Sequence, residues 1–93
     1  MTWRVAETSR PRLPHHVKLR FDSVRERWVL LVPERVLLPN GSAADILRRC
    51  DGETSVAAIA DQLAGAYSVP SSDIRSEVKE LLQGLADKGF IEP

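Results

Sequence analysis

The sequence predicts an α+β domain: three short antiparallel N-terminal strands followed by three helices. Two patterns carry the prediction. Up to residue 38 the apolar residues alternate or gather in short, β-branched-rich runs bounded by prolines. Beyond residue 42 they recur every three or four positions. A third observation is economy, since Arg25 to Gly52 holds a strand, a second short strand and a helix with almost no spacer. One apolar sheet face against amphipathic helices gives a single core. The outline is winged-helix-like, except that the sheet precedes the helices.

The elements follow in order. Residues 1–14 read as a flexible N-terminal arm, in which Pro11 and Pro14 push their predecessors toward extended backbone. A single domain is expected over residues 15–93. Strict alternation from Val17 to Asp22 sets Val17, Leu19 and Phe21 on one face of a half-buried strand, and Lys18, Arg20 and Asp22 on the other. Ser23-Val24-Arg25 turns the chain. The next strand, about Glu26 to Val32, has apolar residues on both faces near its end, as a middle strand does. A short third strand runs from about Arg35 to Leu38, between Pro33 and Pro39. Proline at both borders suits a sheet edge, because proline cannot donate to a central ladder.

Ser42 is the expected N-cap of the first helix, with Asp45 near its positive end. Ala43, Ile46, Leu47 and Cys50 share a face, and Asp51-Gly52 is the expected stop. Thr54 or Ser55 caps the second helix, whose stripe is Val56, Ile59, Ala60, Leu63 and Tyr67. The third helix runs from about Ser72 to Lys88, with Ile74, Val78, Leu81, Leu82 and Leu85 apolar. Gly89 fits the position after its end, and Phe90 can fold back on the last turn.

Composition removes several functions. With 93 residues, 43% hydrophobic and 28% charged, the chain is an ordinary small globule. Its single cysteine, Cys50, excludes an internal disulfide and a multi-cysteine metal site, and reads as a small core residue. His15-His16 has no accompanying ligand cluster and reads as a surface turn. There is no glycine-rich phosphate loop and no apolar run near the ~18–20 residues that span a bilayer. The N-terminus lacks a signal-peptide core, so a cytoplasmic location is expected. Residues 1–50 hold ten Lys/Arg against five Asp/Glu, and residues 51–93 hold three against eight, so the strand half is basic and the helix half acidic.

An interaction module remains. An apolar edge strand is a liability unless covered or paired, and an extended peptide can pair with it. Arg35, Val36, Leu37 and Leu38 are the expected rail; Ile74, Arg75, Val78 and Leu82 are the expected wall on the third helix. Leu81 and Leu85 are assigned to the core. Proline at Leu37 is expected to remove a ladder donor and distort the rail.

These residues lead to a family. P-R-L at 11–13, V-K-L-R-F-D at 17–22, R-W-V-L-L-V-P-E-R-V-L at 27–37, I-L-R-R-C-D-G at 46–52 and L-A-D-K-G-F-I at 85–91 together resemble coenzyme PQQ synthesis protein D (PqqD). The resemblance implies a non-catalytic peptide chaperone in pyrroloquinoline quinone biosynthesis. Such a protein binds the precursor peptide PqqA and presents it to the radical S-adenosylmethionine enzyme PqqE. It also implies a leader segment paired with the third strand and resting on the third helix. An iron–sulfur cluster needs several cysteines, so no cofactor is expected on this chain, which would act as a monomer or weak homodimer without nucleic acid or membrane. The rival from another class is a winged-helix DNA-binding protein. Against it, the third helix carries Asp73, Glu77, Glu80 and Asp87 beside Arg75, Lys79 and Lys88.

Overall fold

The computed structural model describes residues 3–93. Three strands, β1 (Lys18–Asp22), β2 (Arg27–Val32) and β3 (Arg35–Leu37), are followed by α1 (Gly41–Arg48), α2 (Val56–Tyr67) and α3 (Ser71–Asp87). The strands form an antiparallel meander in the order β1-β2-β3, so β2 is central and β3 is an edge. Three strands followed by three helices is the predicted order, and the winged-helix comparison holds only as a loose description.

Register explains the core. Leu19 pairs with Leu30 and Leu30 with Leu37, so these three side chains share one face, together with Val32. That face meets the helices, where Val56, Ile59, Leu63, Val78 and Leu82 are fully or almost fully buried. The opposite face carries Lys18, Arg20, Leu31 and Val36 and has no helix layer. Phe21 lies on the helix-side face, yet is 48% exposed. At this end of the sheet its ring meets Trp28 edge-on, with centroids 5.5 Å apart.

The turns are built from the local sequence. The Asp22 carboxylate accepts from the backbone N–H groups of Val24 and Arg25, which closes the β1–β2 loop. Between β2 and β3 the loop is Pro33-Glu34, with Glu34 at φ 66°. Proline followed by a left-handed residue is the type II pattern.

Helix starts show one correction. The N-cap of α1 is Asn40, whose Oδ1 accepts from the Ala43 N–H at 2.8 Å. Ser42 is not the cap; its hydroxyl donates to the same Asn40 oxygen. Asn40 is extended (φ −70°, ψ 175°) and helical backbone begins directly after it, so Ser42 already lies inside the helix. Gly52 does not cap α1 either. The helix closes at Arg49, and Gly52, at φ +80°, donates to the Pro11 carbonyl at 2.9 Å. Ser55 caps α2 by accepting from Ala58. The end of α3 follows the expected pattern: Gly89 bonds to Ala86 and Phe90 to Leu85, satisfying two end carbonyls.

Residues 1–14, expected as a flexible arm, are described from residue 3 onward, and its first two residues lie outside the described residues. From Trp3 to Pro14 the segment lies against the helices. Val5 and Pro11 are buried. The Gln83 side chain accepts from the Val5 N–H at 2.8 Å and donates to the Trp3 carbonyl at 3.0 Å. Arg12 exchanges two backbone hydrogen bonds with Glu92, and Ser9 accepts from Val56. A turn at Glu7-Thr8 bends the segment, and its partners come from the start of α2, from α3 and from the C-terminal residues.

Candidate peptide-binding groove

The short loop fixes which backbone groups of β3 are free. Val32 and Arg35 flank a two-residue turn and pair directly. Such a pair exchanges both of its hydrogen bonds, and the pattern then alternates. Arg35 and Leu37 therefore aim their N–H and C=O groups at β2, whereas those of Val36 point out from the sheet edge. No other backbone group takes them among the described residues. The N–H of Leu37 thus belongs to the β2–β3 ladder, and the donor that points outward is that of Val36.

Side chains alternate the other way. Val36, 48% exposed, lies on the outer face, while Arg35 and Leu37 project on the helix side. There, beside β3, runs a cleft of about 230 Å³ lined by Leu37, Leu38, Ala43, Leu47, Leu81 and Leu85 among its residues, all apolar. Of three larger depressions, the two largest are unlike it. One, of about 530 Å³, lies along Arg4, Lys79, Glu80 and Gln83; the other, of about 420 Å³ on the outer sheet face, lies over Val29, Leu31 and Val36 with Arg20, Asp22 and Arg25 at its rim. Both are rimmed by charge, which suits solvent better than an apolar ligand.

The expected wall on α3 divides. Val78 and Leu82 have 0% exposure and Ile74 has 9%, so all three serve the core. Arg75 lies on another face of the helix, where its guanidinium pairs with Glu7 at 3.3 Å and Asp61 at 3.9 Å. The α3 residues that reach the cleft are Leu81 and Leu85, which the sequence reading assigned to the core. The apolar stripe of α3 is wide enough to serve both; the tilt of the helix across the sheet decides which part is left open. One turn apart, Leu81 and Leu85 form a single ridge. Arg35, Val36, Leu37 and Leu38 remain together on β3 and its continuation.

Arg35 precedes Leu37 on the helix-side face of β3, two residues along the strand from the cleft. Arg35 is exposed, and its guanidinium lies 5.9 Å from the centroid of the Phe90 ring, within reach of a cation–π contact. Cys50 takes no part: it is buried, its thiol donates to the Ile46 carbonyl, and burial, with the Asp51 charge, pushes it up to about 12.

A meander with an open third strand, one helix layer and an apolar cleft between that strand and the last helix define a small sheet-and-helix recognition domain. The chain belongs to the coenzyme PQQ synthesis protein D (PqqD) family, whose model matches residues 27–91. It is 56% identical over 87 residues to a PqqA binding protein of Rhodopseudomonas palustris strain BisB5, covering 94% of this chain and 85% of that one. It is 40% identical over 82 residues to the bifunctional coenzyme PQQ synthesis protein C/D of Methylorubrum extorquens, covering 88% of this chain but 22% of that one. Among solved structures, the solution structure of the PqqD truncation of Methylobacterium extorquens PqqCD superposes with a TM-score of 0.82 at 37% identity, covering 96% of this chain and 95% of that one. That protein is described as a functional, stand-alone recognition element for ribosomally synthesised, post-translationally modified peptides. The crystal structure of PqqD from Xanthomonas campestris gives 0.62 at 36% identity, covering 96% and 99%.

Proposed function

We propose that this protein is an adaptor in pyrroloquinoline quinone biosynthesis that binds the precursor peptide PqqA as an added strand on β3. It presents the peptide to the radical S-adenosylmethionine enzyme PqqE in the cytoplasm and catalyses nothing itself. The observation that carries the reading is the outward-facing Val36 backbone beside an all-apolar cleft. The relatives named PqqA binding protein supply the identity of the peptide. Val36 offers one donor and one acceptor, worth about 1 kcal/mol each net. The larger share of affinity comes from apolar side chains of the peptide entering between Leu37, Leu81 and Leu85.

Two prolines test the geometry. Val36→Pro removes the outward N–H at an edge, where proline is tolerated. It is expected to leave a folded protein, by its amide spectrum, and to weaken PqqA binding at least about 5-fold. Leu37→Pro breaks the β2–β3 ladder instead and is expected to disorder the hairpin. Unchanged affinity in folded Val36→Pro would exclude strand addition. Titration of labelled protein with PqqA is expected to move the amides of Val36, Leu38, Leu81 and Leu85 first.

A further inference from the structure

The groove is electrically asymmetric. Its β3 wall alternates so that Arg35 and Leu37 stand in line on the helix side. Arg35 is exposed, lies 5.9 Å from the centroid of the Phe90 ring, and forms no ion pair among the described residues. Several arginines elsewhere are engaged: Arg12 with Glu92, Arg25 with Asp22, Arg48 with Asp45, and Arg75 with Glu7 and Asp61. Lys88, the exposed C-cap of α3, lies two residues before Phe90 in the chain. Along α3 in the other direction, Glu77 and Asp73 precede Leu81 by one and two turns on the same row of the helix. Both are exposed. Glu34, on the turn before Arg35, is exposed and forms no ion pair with it. The middle of the groove is leucine and alanine, one end is cationic, and the far rim of α3 is anionic.

We infer that the groove takes a peptide strand with an apolar centre and a carboxylate side chain at the end seated on Arg35. The carboxylate fixes both the register and the direction of the strand; this rests on the strand-addition reading above. An exposed guanidinium without a carboxylate partner is free to meet one from the peptide with two parallel hydrogen bonds. Backbone pairing alone cannot set register, because every residue offers the same groups. Apolar pockets distinguish positions two residues apart only by shape. A single charge at one end removes that degeneracy, and the acidic rim at Glu77 and Asp73 disfavours the reversed strand.

The test is a mutant cycle between protein and peptide. PqqA is prepared with each carboxylate side chain changed singly to its amide, and affinity is measured by calorimetry for wild type, Arg35→Gln and Leu81→Gln. Arg35→Gln is expected to weaken PqqA about 5- to 20-fold. One amide peptide is expected to lose the same factor against wild type and to lose nothing further against Arg35→Gln. Leu81→Gln, which is uncharged, is expected to weaken every peptide alike. If Arg35→Gln binds PqqA as wild type does while Leu81→Gln does not, the carboxylate anchor is wrong and the groove stands. If Arg35→Gln weakens binding but no amide peptide couples to it, the anchor is likewise wrong. If neither substitution changes affinity in folded protein, the groove itself is not the site. The amide spectrum of Arg35→Gln, whose side chain is exposed, provides the folding control.

Discussion

Single residues carry much of the local geometry, and some hold it at a cost. Ser68 sits in the left-handed region at φ 55°, where α2 ends and the Val69 N–H reaches back to the Ala64 carbonyl at 3.0 Å. Glycine is the residue that fits this position without crowding its own Cβ. Ser68→Gly is therefore expected to stabilise by about 0.5–1 kcal/mol, a rise of roughly 3–6 °C in Tm by calorimetry. Gly52 is the converse. At φ +80°, an added Cβ would stand 3.4 Å from two carbons of the Arg12 side chain, so Gly52→Ala is expected to lower stability by about 1–2 kcal/mol in urea. At Cys50 the sign of the pH dependence follows from burial. The folded thiol is pushed up to about 12, so its neutral form is favoured in the native state. Its contribution is complete below the ordinary thiol value of ~8.5 and declines as pH rises from there toward that folded value. Native Cys50 is expected to resist a thiol reagent at pH 8 and to react promptly in denaturant.

At the scale of elements, the division of α3 matters most. The strands were legible because alternation has only one partner, the sheet, and Leu19, Leu30 and Leu37 face the helices as their spacing requires. The stripe of α3 was legible as a stripe, but not as two surfaces. Residues 74, 78 and 82 point at α2 and the sheet, and 81 and 85 point at the open edge, according to how the helix crosses its neighbours. One helix's periodicity does not contain that angle. Asn40 and Ser42 posed a similar choice, since both side chains can cap and backbone geometry selects between them. Different outcomes follow on the two sides of α3. Leu82→Ala is expected to cost about 2–5 kcal/mol of stability by denaturant titration, while its folded fraction binds PqqA with unchanged affinity. The expected wall residue Arg75 tests the same division: Arg75→Glu meets Glu7 and Asp61, and is expected to disturb stability but not peptide affinity.

For the whole molecule, the decisive contacts join segments that sequence reading treats separately. The segment before Pro14 offers few apolar residues, so composition alone describes an arm. Its Val5 enters the core, and its backbone finds Gln83, 78 positions away, and Glu92, 80 positions from Arg12. Nothing local announces such a partner. Gln83→Ala removes an acceptor for Val5 and a donor for Trp3, and is expected to cost about 1–2 kcal/mol and to speed amide exchange at Val5. The bipolar charge seen in the sequence survives folding because the strands come from the basic half and the last two helices from the acidic one.

The shortness of β3 has a consequence for time rather than for affinity. Three residues, with one outward-facing pair of backbone groups, give two copies of the protein little to zip together. The same shortness gives a bound peptide few bonds to break before it leaves. Affinity differences among related complexes lie mostly in the off-rate. On the strand-addition reading, a three-residue β3 is expected to release a peptide faster than a longer open strand with the same apolar cleft would, which stopped-flow displacement of labelled PqqA measures.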